Sequence, residues 1–154
     1  MAHILEGLLR VNGIDIWKEY GAFLTEEKQG GLDNQTAILS PSKVKSHVSV
    51  NIREEHGCRY SKTLVVANEE RDVTLHFALY ADTKSDWLLK YRSFINFLKS
   101  GDNGWLSFHF TELGLTLKMY YVESTSFKPL TYLWKEGKQA SSFKVKFREP
   151  NPII

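Results

Sequence analysis

The sequence predicts an α+β protein, a mainly antiparallel β sandwich or barrel with one long helix at about residues 84–99. Three observations support this class. Apolar runs near the N-terminus flank an Asn12-Gly13 turn, several later segments alternate apolar and polar residues, and one stretch shows the longer helical period. A helix set between antiparallel strands, with its apolar stripe on the core, gives this architecture.

Composition is that of an ordinary globular protein. The chain has 154 residues, of which 42% are hydrophobic and 25% charged, so we expect a single soluble domain over residues 1–154. The net charge of +2 does not favour sequence-specific nucleic-acid recognition. No stretch approaches the ~20 apolar residues of a membrane span, so no membrane partner is expected. The lone Cys58 excludes an internal disulfide, which fits synthesis in a cytoplasm.

The N-terminal third predicts a hairpin followed by a long surface loop. Asn12-Gly13 favours a tight turn between two short strands, and another short strand is expected at residues 22–24. Residues 26–46 contain Gly30-Gly31 and few large apolar side chains, so they predict a surface loop with room for one short strand at residues 36–39. Loops of this length are uncommon in compact domains and are often functional.

The middle of the chain predicts strands and then the helix. Residues 48–52 alternate as a half-buried strand does, residues 63–67 form an apolar run, and residues 73–79 alternate cleanly. Asp82 or Thr83 can cap the helix, and Gly101 follows it where a left-handed cap is expected. Its predicted apolar face comprises Trp87, Leu88, Tyr91, Phe94, Ile95 and Leu98, with Leu89 and Phe97 beside it to widen the face or touch a partner.

The C-terminal third predicts further strands. They are expected at residues 105–110, 115–124, 130–134 and 142–147, with a break at residues 127–129. Tyr120-Tyr121 would point to opposite sides of a sheet, so one of the two rings is expected outside the core. The prolines at 150 and 152 end the sheet because proline cannot donate to the strand ladder.

No catalytic, cofactor-binding or metal-binding residue is nominated, and the chain is not expected to be an enzyme. His56 and Cys58 are two apart, but no second pair has zinc-like spacing. His76 and His109 alternate away from the apolar faces of their strands, which favours a solvent-facing role. Cys58 lacks any flanking nucleophile motif, and no phosphate-cradling or dinucleotide glycine motif is present.

Four segments in order resemble phage tail proteins of the distal-tail type. They are Val11-Asn12-Gly13-Ile14-Asp15, Arg71-Asp72-Val73-Thr74-Leu75, the helix end Phe97-Leu98 before a glycine turn, and the strand at residues 143–147 followed by Glu149-Pro150-Asn151-Pro152. Proteins of this family have an N-terminal domain with the tail-tube fold, a β sandwich or barrel flanked by a helix. They usually carry a further C-terminal domain, so this chain would supply the ring-forming domain.

The resemblance implies a virion structural protein that is made in the bacterial host cytoplasm. Its subunits would form a ring, with six as the expected number, that joins or extends the tail tube of a phage or prophage and contacts other tail or baseplate proteins. Injection and secretion tubes use the same fold and stay open as an alternative. The implied subunit-contact loop contains Gly30, Gly31, Leu32, Ile38 and Leu39.

Two other functions stay open on the sequence. A small β-barrel could be a binding module for a ligand, glycan or peptide, which one apolar pocket with a few polar groups would favour. A hydrolase could assemble its site from distant residues such as Cys58 or His109.

Overall fold

The computed structural model describes residues 7–25, 32–129, 139–152 and 154. In these residues it contains nine strands and three helices, and the helices are α1 (Ile16–Tyr20), α2 (Asp33–Leu39) and α3 (Lys84–Ser100). The strands are β1 (Leu9–Val11), β2 (Ile14–Asp15), β3 (Ala22–Leu24), β4 (Ser49–Val50), β5 (Arg59–Tyr60), β6 (Arg71–Ala81), β7 (Leu106–Phe110), β8 (Leu115–Pro129) and β9 (Gln139–Glu149).

Seven strands form one antiparallel sheet in the order β2-β1-β7-β8-β9-β6-β3. The long strand β8 belongs to both halves of this sheet: Leu115 to Met119 pair with β7, and Tyr120 to Pro129 pair with β9. Irregular pairing between Tyr121 and Glu123 marks the change of partner. The sheet therefore turns a corner at β8 and folds over its own apolar side, which confirms the predicted mainly antiparallel α+β class.

The core lies between the two halves of the sheet and under α3. Alternate residues of β6, β7 and β9 are buried, as a period of two requires. Rings from both halves meet there, because Phe108 of β7 lies 4.7 Å from Phe147 of β9, measured between ring centroids. Phe77 of β6 contacts the rings of Phe94, Phe143 and Phe147 and is fully buried.

Helix α3 closes the open side of the sheet, as predicted. Trp87, Phe94 and Leu98 are buried, and Tyr91 and Ile95 pack at the edge of the core. Leu88 does not join this face as expected: it is half exposed, as is Leu89 beside it. The backbone N–H of Gly101 donates to the Phe97 carbonyl, and Gly101 has φ +47° with ψ −141°, so the turn is not the left-handed cap that the sequence predicted.

Thr83, not Asp82, caps α3, because its Oγ1 accepts from the Asp86 N–H at 3.1 Å. We expect Thr83→Ala to lower the free energy of unfolding by about 1 kcal/mol, since one exposed helix amide loses its acceptor. Chemical denaturation of the two proteins measures the difference. Thr83→Ser keeps the hydroxyl and is expected to leave stability nearly unchanged, so an equal loss in both variants would contradict the capping role.

The predicted hairpin at Asn12-Gly13 is confirmed. Both residues have positive φ, +52° and +81°, and β1 pairs with β2 across them. The second strand ends at Asp15 because its carboxylate accepts from the Trp17 N–H at 3.1 Å and so starts α1. Gly21 then ends α1 at φ +66°, where a Cβ would lie 2.4 Å from the Tyr80 carbonyl oxygen.

The short strand predicted at residues 36–39 is wrong, because these residues belong to α2. The helix is fixed by burial of Ile38 and Asn34 against the sheet. Where β3 ends, the Asn34 side chain makes the hydrogen bonds that a further strand residue would make. Its side-chain oxygen accepts from the His76 N–H at 2.7 Å, and its amide donates to the Thr25 carbonyl at 2.7 Å. The segment is thus partly packed rather than a plain surface loop.

Two other predictions need correction. The half-buried strand predicted at residues 48–52 is a two-residue exposed strand, because this segment does not contact the core, and the apolar run at residues 63–67 is exposed as well. The break at residues 127–129 is absent; β8 continues to Pro129, and the irregularity is taken up by Ser126 at φ +55°. The strand predicted at residues 130–134 lies outside the described residues.

Candidate functional site

A two-stranded ribbon, residues 45–67, projects from the sheet and is called the arm below. Its base is closed by backbone hydrogen bonds from Lys45 N–H to the Ala67 carbonyl at 2.8 Å and from Glu69 N–H to the Lys43 carbonyl at 2.7 Å. Further out, β4 pairs with β5, and an ion pair joins Glu55 to Arg59. The arm is therefore a defined hairpin with an ordered base.

The arm exposes apolar side chains. Val48 is 89% exposed and Val65 is 81% exposed, although valine is among the residues most often buried. Four more large apolar side chains of the arm are also exposed to solvent: Val50, Tyr60, Leu64 and Val66. Groups of exposed large apolar side chains are typical of surfaces that contact another molecule.

The arm's backbone also favours a partner. An isolated two-stranded ribbon is marginally stable in water, because it has no sheet or helix on which to bury a face. The arm's strands pair only with each other in the described residues, since β4 and β5 form a separate two-stranded sheet. Its unpaired strand edges and its valines can both be satisfied by the surface of a second molecule.

The residues of the predicted contact loop differ in their exposure to solvent. Leu32 is 64% exposed and Leu39 is exposed, so both are available to a partner. Ile38 is only 2% exposed, so it is not available as a contact residue and packs in its own core instead. Gly30 and Gly31 lie outside the described residues. Sequence reasoning missed the arm, because its alternating valines predict a strand with one buried side.

A groove of about 370 Å³ lies between β1, β3, α2 and the turn after β7. Its walls are mostly leucine and phenylalanine, including Leu8, Leu24 and Phe110, and Asn34, Gln35 and Glu112 add polar groups. This combination is typical of a small-ligand pocket.

The residues considered for chemistry do not come together. Cys58 is exposed in the arm, and His109 lies on the outer side of β7, where its Nδ1 is 3.0 Å from the Thr116 hydroxyl. Among the described residues, no three His, Cys, Asp or Glu side chains are grouped to hold a metal ion. The described helices include none with the length and apolar character needed to cross a membrane.

The sheet's outer side, away from the core, carries polar and aromatic groups. Arg148 donates to Asp72 at 2.8 Å, and hydrogen bonds to Asp72 and then Tyr120 raise the pKa of Arg148 above its ordinary value. Trp105 and Tyr120 meet edge to face with centroids 5.7 Å apart. As predicted for the tyrosine pair, Tyr121 packs on Phe147 of the core while Tyr120 lies outside it.

The fold is that of a mainly antiparallel β protein closed by one long helix, with an exposed hairpin arm. Among solved structures it is similar to the Dit protein of SPP1, a paradigm of the hub adsorption apparatus in phages that infect Gram-positive bacteria. The TM-score is 0.56 at 12% sequence identity, over 92% of this chain and 49% of that chain. The chain thus spans about half the length of this relative, and at this identity the likeness shows the fold.

No protein-family model matches the chain. No curated protein matches its sequence.

Proposed function

We propose that this chain is a structural component of a phage or prophage tail or baseplate, and that it acts without catalysis of its own. The similarity to SPP1 Dit over 92% of the chain is the observation that carries the proposal. In the virion, copies of the chain form a ring, with six as the expected number, that joins or extends the tail tube and contacts other tail proteins.

The arm supports assembly with further copies of the chain. In a head-to-tail ring each subunit offers one surface to a different surface on its neighbour. A projecting ribbon that carries Val48 and Val65 in solvent is suited to be one of these surfaces, because burial of each valine contributes about 1.5–3 kcal/mol. Leu32 and Leu39, the exposed members of the predicted contact loop, extend the apolar surface available to a neighbour.

Light scattering coupled to size exclusion, across concentrations and with negative-stain images of each peak, tests the proposal. We expect a closed ring for the unaltered chain. Val48→Asp with Val65→Asp places charges where burial is proposed, so the dissociation constant of each interface is expected to rise at least about 100-fold. The measured quantity is the concentration at which rings dissociate.

Ser46→Asp with Ser61→Asp is the matched control, since it adds the same charge at exposed positions of the same arm. We expect this control to keep its rings. Equal loss in both double variants would show that added charge, not lost valine burial, disrupts the ring. An unaltered chain that is monomeric at every concentration would contradict self-assembly.

The groove favours a second candidate function, a binding module for a small ligand, glycan or peptide. The lining of leucines with Asn34, Gln35 and Glu112 is the observation behind it. Leu113→Trp is expected to fill the groove. A ligand that raises the melting temperature of the unaltered chain but not of this variant would favour the binding module over the ring.

A further inference from the structure

A short segment that follows β9 crosses the base of the arm and is called the strap below. It comprises residues 150–152 and 154. The prolines at 150 and 152 have no backbone N–H, so the strap does not continue the strand ladder of β9, which ends at Glu149. Pro152 is nevertheless buried and Ile154 is half-buried. The strap therefore lies against the protein instead of projecting into solvent.

The strap is hydrogen-bonded to both chain segments that form the arm's base. On the segment that leads into the arm, Ser42 donates twice to the Ile154 carbonyl, from its backbone N–H at 3.1 Å and from its Oγ at 2.6 Å. On the segment that leads out, the Asn68 side-chain amide donates to the Pro152 carbonyl at 3.1 Å. Asn68 also forms a β-bridge with Val44. The strap thus ties together the two segments whose separation would open the arm.

The near end of the strap is anchored in the protein. Glu149, the residue before it, is buried in its ion pair with Arg71, and Arg71 also donates to the Ser40 carbonyl. Ser40 is two residues before Ser42. The segment that leads into the arm is therefore held at one point by Glu149 through Arg71 and at the next by the far end of the strap.

The attachment of the strap is local. Its hydrogen bonds join groups of Ser42 and Asn68, which are half-buried and lie outside the apolar core. Openings that break few buried apolar contacts need less free energy than global unfolding. The arm has little else to fix its direction, because β4 and β5 pair only with each other in the described residues, and such a ribbon is marginally stable alone.

We propose that the strap is a latch for the arm. When it is fastened, it holds the arm's base closed and fixes the direction in which Val48 and Val65 are presented. When it is released, the base opens and the arm moves. A neighbouring subunit that meets a fixed arm does not have to order it, so the fastened state is the one that assembles. This last step rests on the proposed ring, whereas the hold of the strap on the base does not.

Hydrogen–deuterium exchange followed by mass spectrometry tests the latch on the full chain, at a concentration below that of ring formation. The double variant Ser42→Ala with Asn68→Ala removes both side-chain hydrogen bonds to the strap. Peptides that contain the Lys45 and Glu69 amides, which close the arm's base, are expected to exchange about tenfold faster. Peptides from the middle of β6 and β9 are expected to keep their rates.

Ser46→Ala with Asn51→Ala is the matched control, since it removes the same two side-chain types from exposed positions of the arm. We expect the control to exchange like the unaltered chain at the arm's base. Unchanged exchange in the Ser42 and Asn68 variant would overturn the latch, and so would equal acceleration in the control. Equal acceleration in β6 and β9 would also overturn it, because the strap would then support the whole fold and not the arm.

The stability of the ring separates this inference from the proposed function. The concentration at which rings dissociate is expected to rise about tenfold in the Ser42 and Asn68 variant and to stay unchanged in the control. Rings that keep their dissociation concentration while the arm's base exchanges faster would overturn the latch's role in assembly. A chain that forms no ring at any concentration would contradict the proposed assembly alone, because exchange at the arm's base is measured on single subunits.

Discussion

Phe77→Ala is expected to lower the free energy of unfolding by about 3–5 kcal/mol. Phe77 is fully buried on β6 and contacts the ring of Phe94 at 5.5 Å, Phe143 at 6.1 Å and Phe147 at 6.3 Å, measured between centroids. Phe94 belongs to α3, whereas Phe143 and Phe147 belong to β9. Removal of the Phe77 ring would therefore leave a cavity between helix and sheet that neither element could fill by moving alone. Urea unfolding followed by tryptophan fluorescence measures the change as a lower midpoint.

Phe127→Ala is the control for removal of an aromatic side chain. Phe127 contacts the rings of Trp87 and Tyr91 but is 43% exposed, so its loss leaves space that water can fill. We expect a loss of about 1 kcal/mol, from its aromatic contacts. Equal midpoints for the two variants would contradict the central place assigned to Phe77.

Glu149→Ala is expected to cost about 3–5 kcal/mol, because it leaves the buried Arg71 charge without its partner. The Arg71 Nε donates to the Glu149 carboxylate at 2.7 Å, and both side chains are less than a tenth exposed. Arg71 also donates to the Ser40 carbonyl at the end of α2. The pair therefore fixes the start of β6, the end of β9 and α2 together, and chemical denaturation measures its loss.

Glu55→Ala removes the carboxylate of an exposed pair with Arg59 and is expected to change stability by less than about 1 kcal/mol. The double variant Arg71→Met with Glu149→Leu removes both buried charges and is expected to recover most of the loss. If the double variant is as unstable as Glu149→Ala alone, the cost comes from packing and not from an uncompensated charge.

The long elements of the fold could be predicted from the sequence, and the reason is periodicity. Residues 73–79 and 142–147 alternate because both strands bury one side, and Trp87, Tyr91, Phe94 and Leu98 recur at helical spacing because α3 buries one stripe. Asn12-Gly13 identified its turn because both residues adopt positive φ. In these places local preference and tertiary packing agree.

The short and exposed segments could not be predicted, because their structure depends on distant contacts. Residues 36–39 are helical since Asn34 and Ile38 dock on β6, which lies some forty residues away in the sequence. The arm valines have the pattern of a half-buried strand, but no second layer covers them among the residues that the structure describes. Likewise, the sequence shows the spacing of Lys144, Lys146 and Arg148 on β9. That Lys118 and Arg10 lie on the same side of the sheet follows only from strand pairing.

The order in which strands pair has a consequence for biosynthesis. Strand β9 is the last of the described strands to be translated. It nevertheless pairs along its whole length with β6, starting with Glu149 opposite Arg71, and it also pairs with the second half of β8. Such distant pairing is slow and cannot begin until β9 leaves the ribosome. The arm, residues 45–67, emerges more than seventy residues earlier. The arm is therefore outside the ribosome and exposed before the core of its own chain can close.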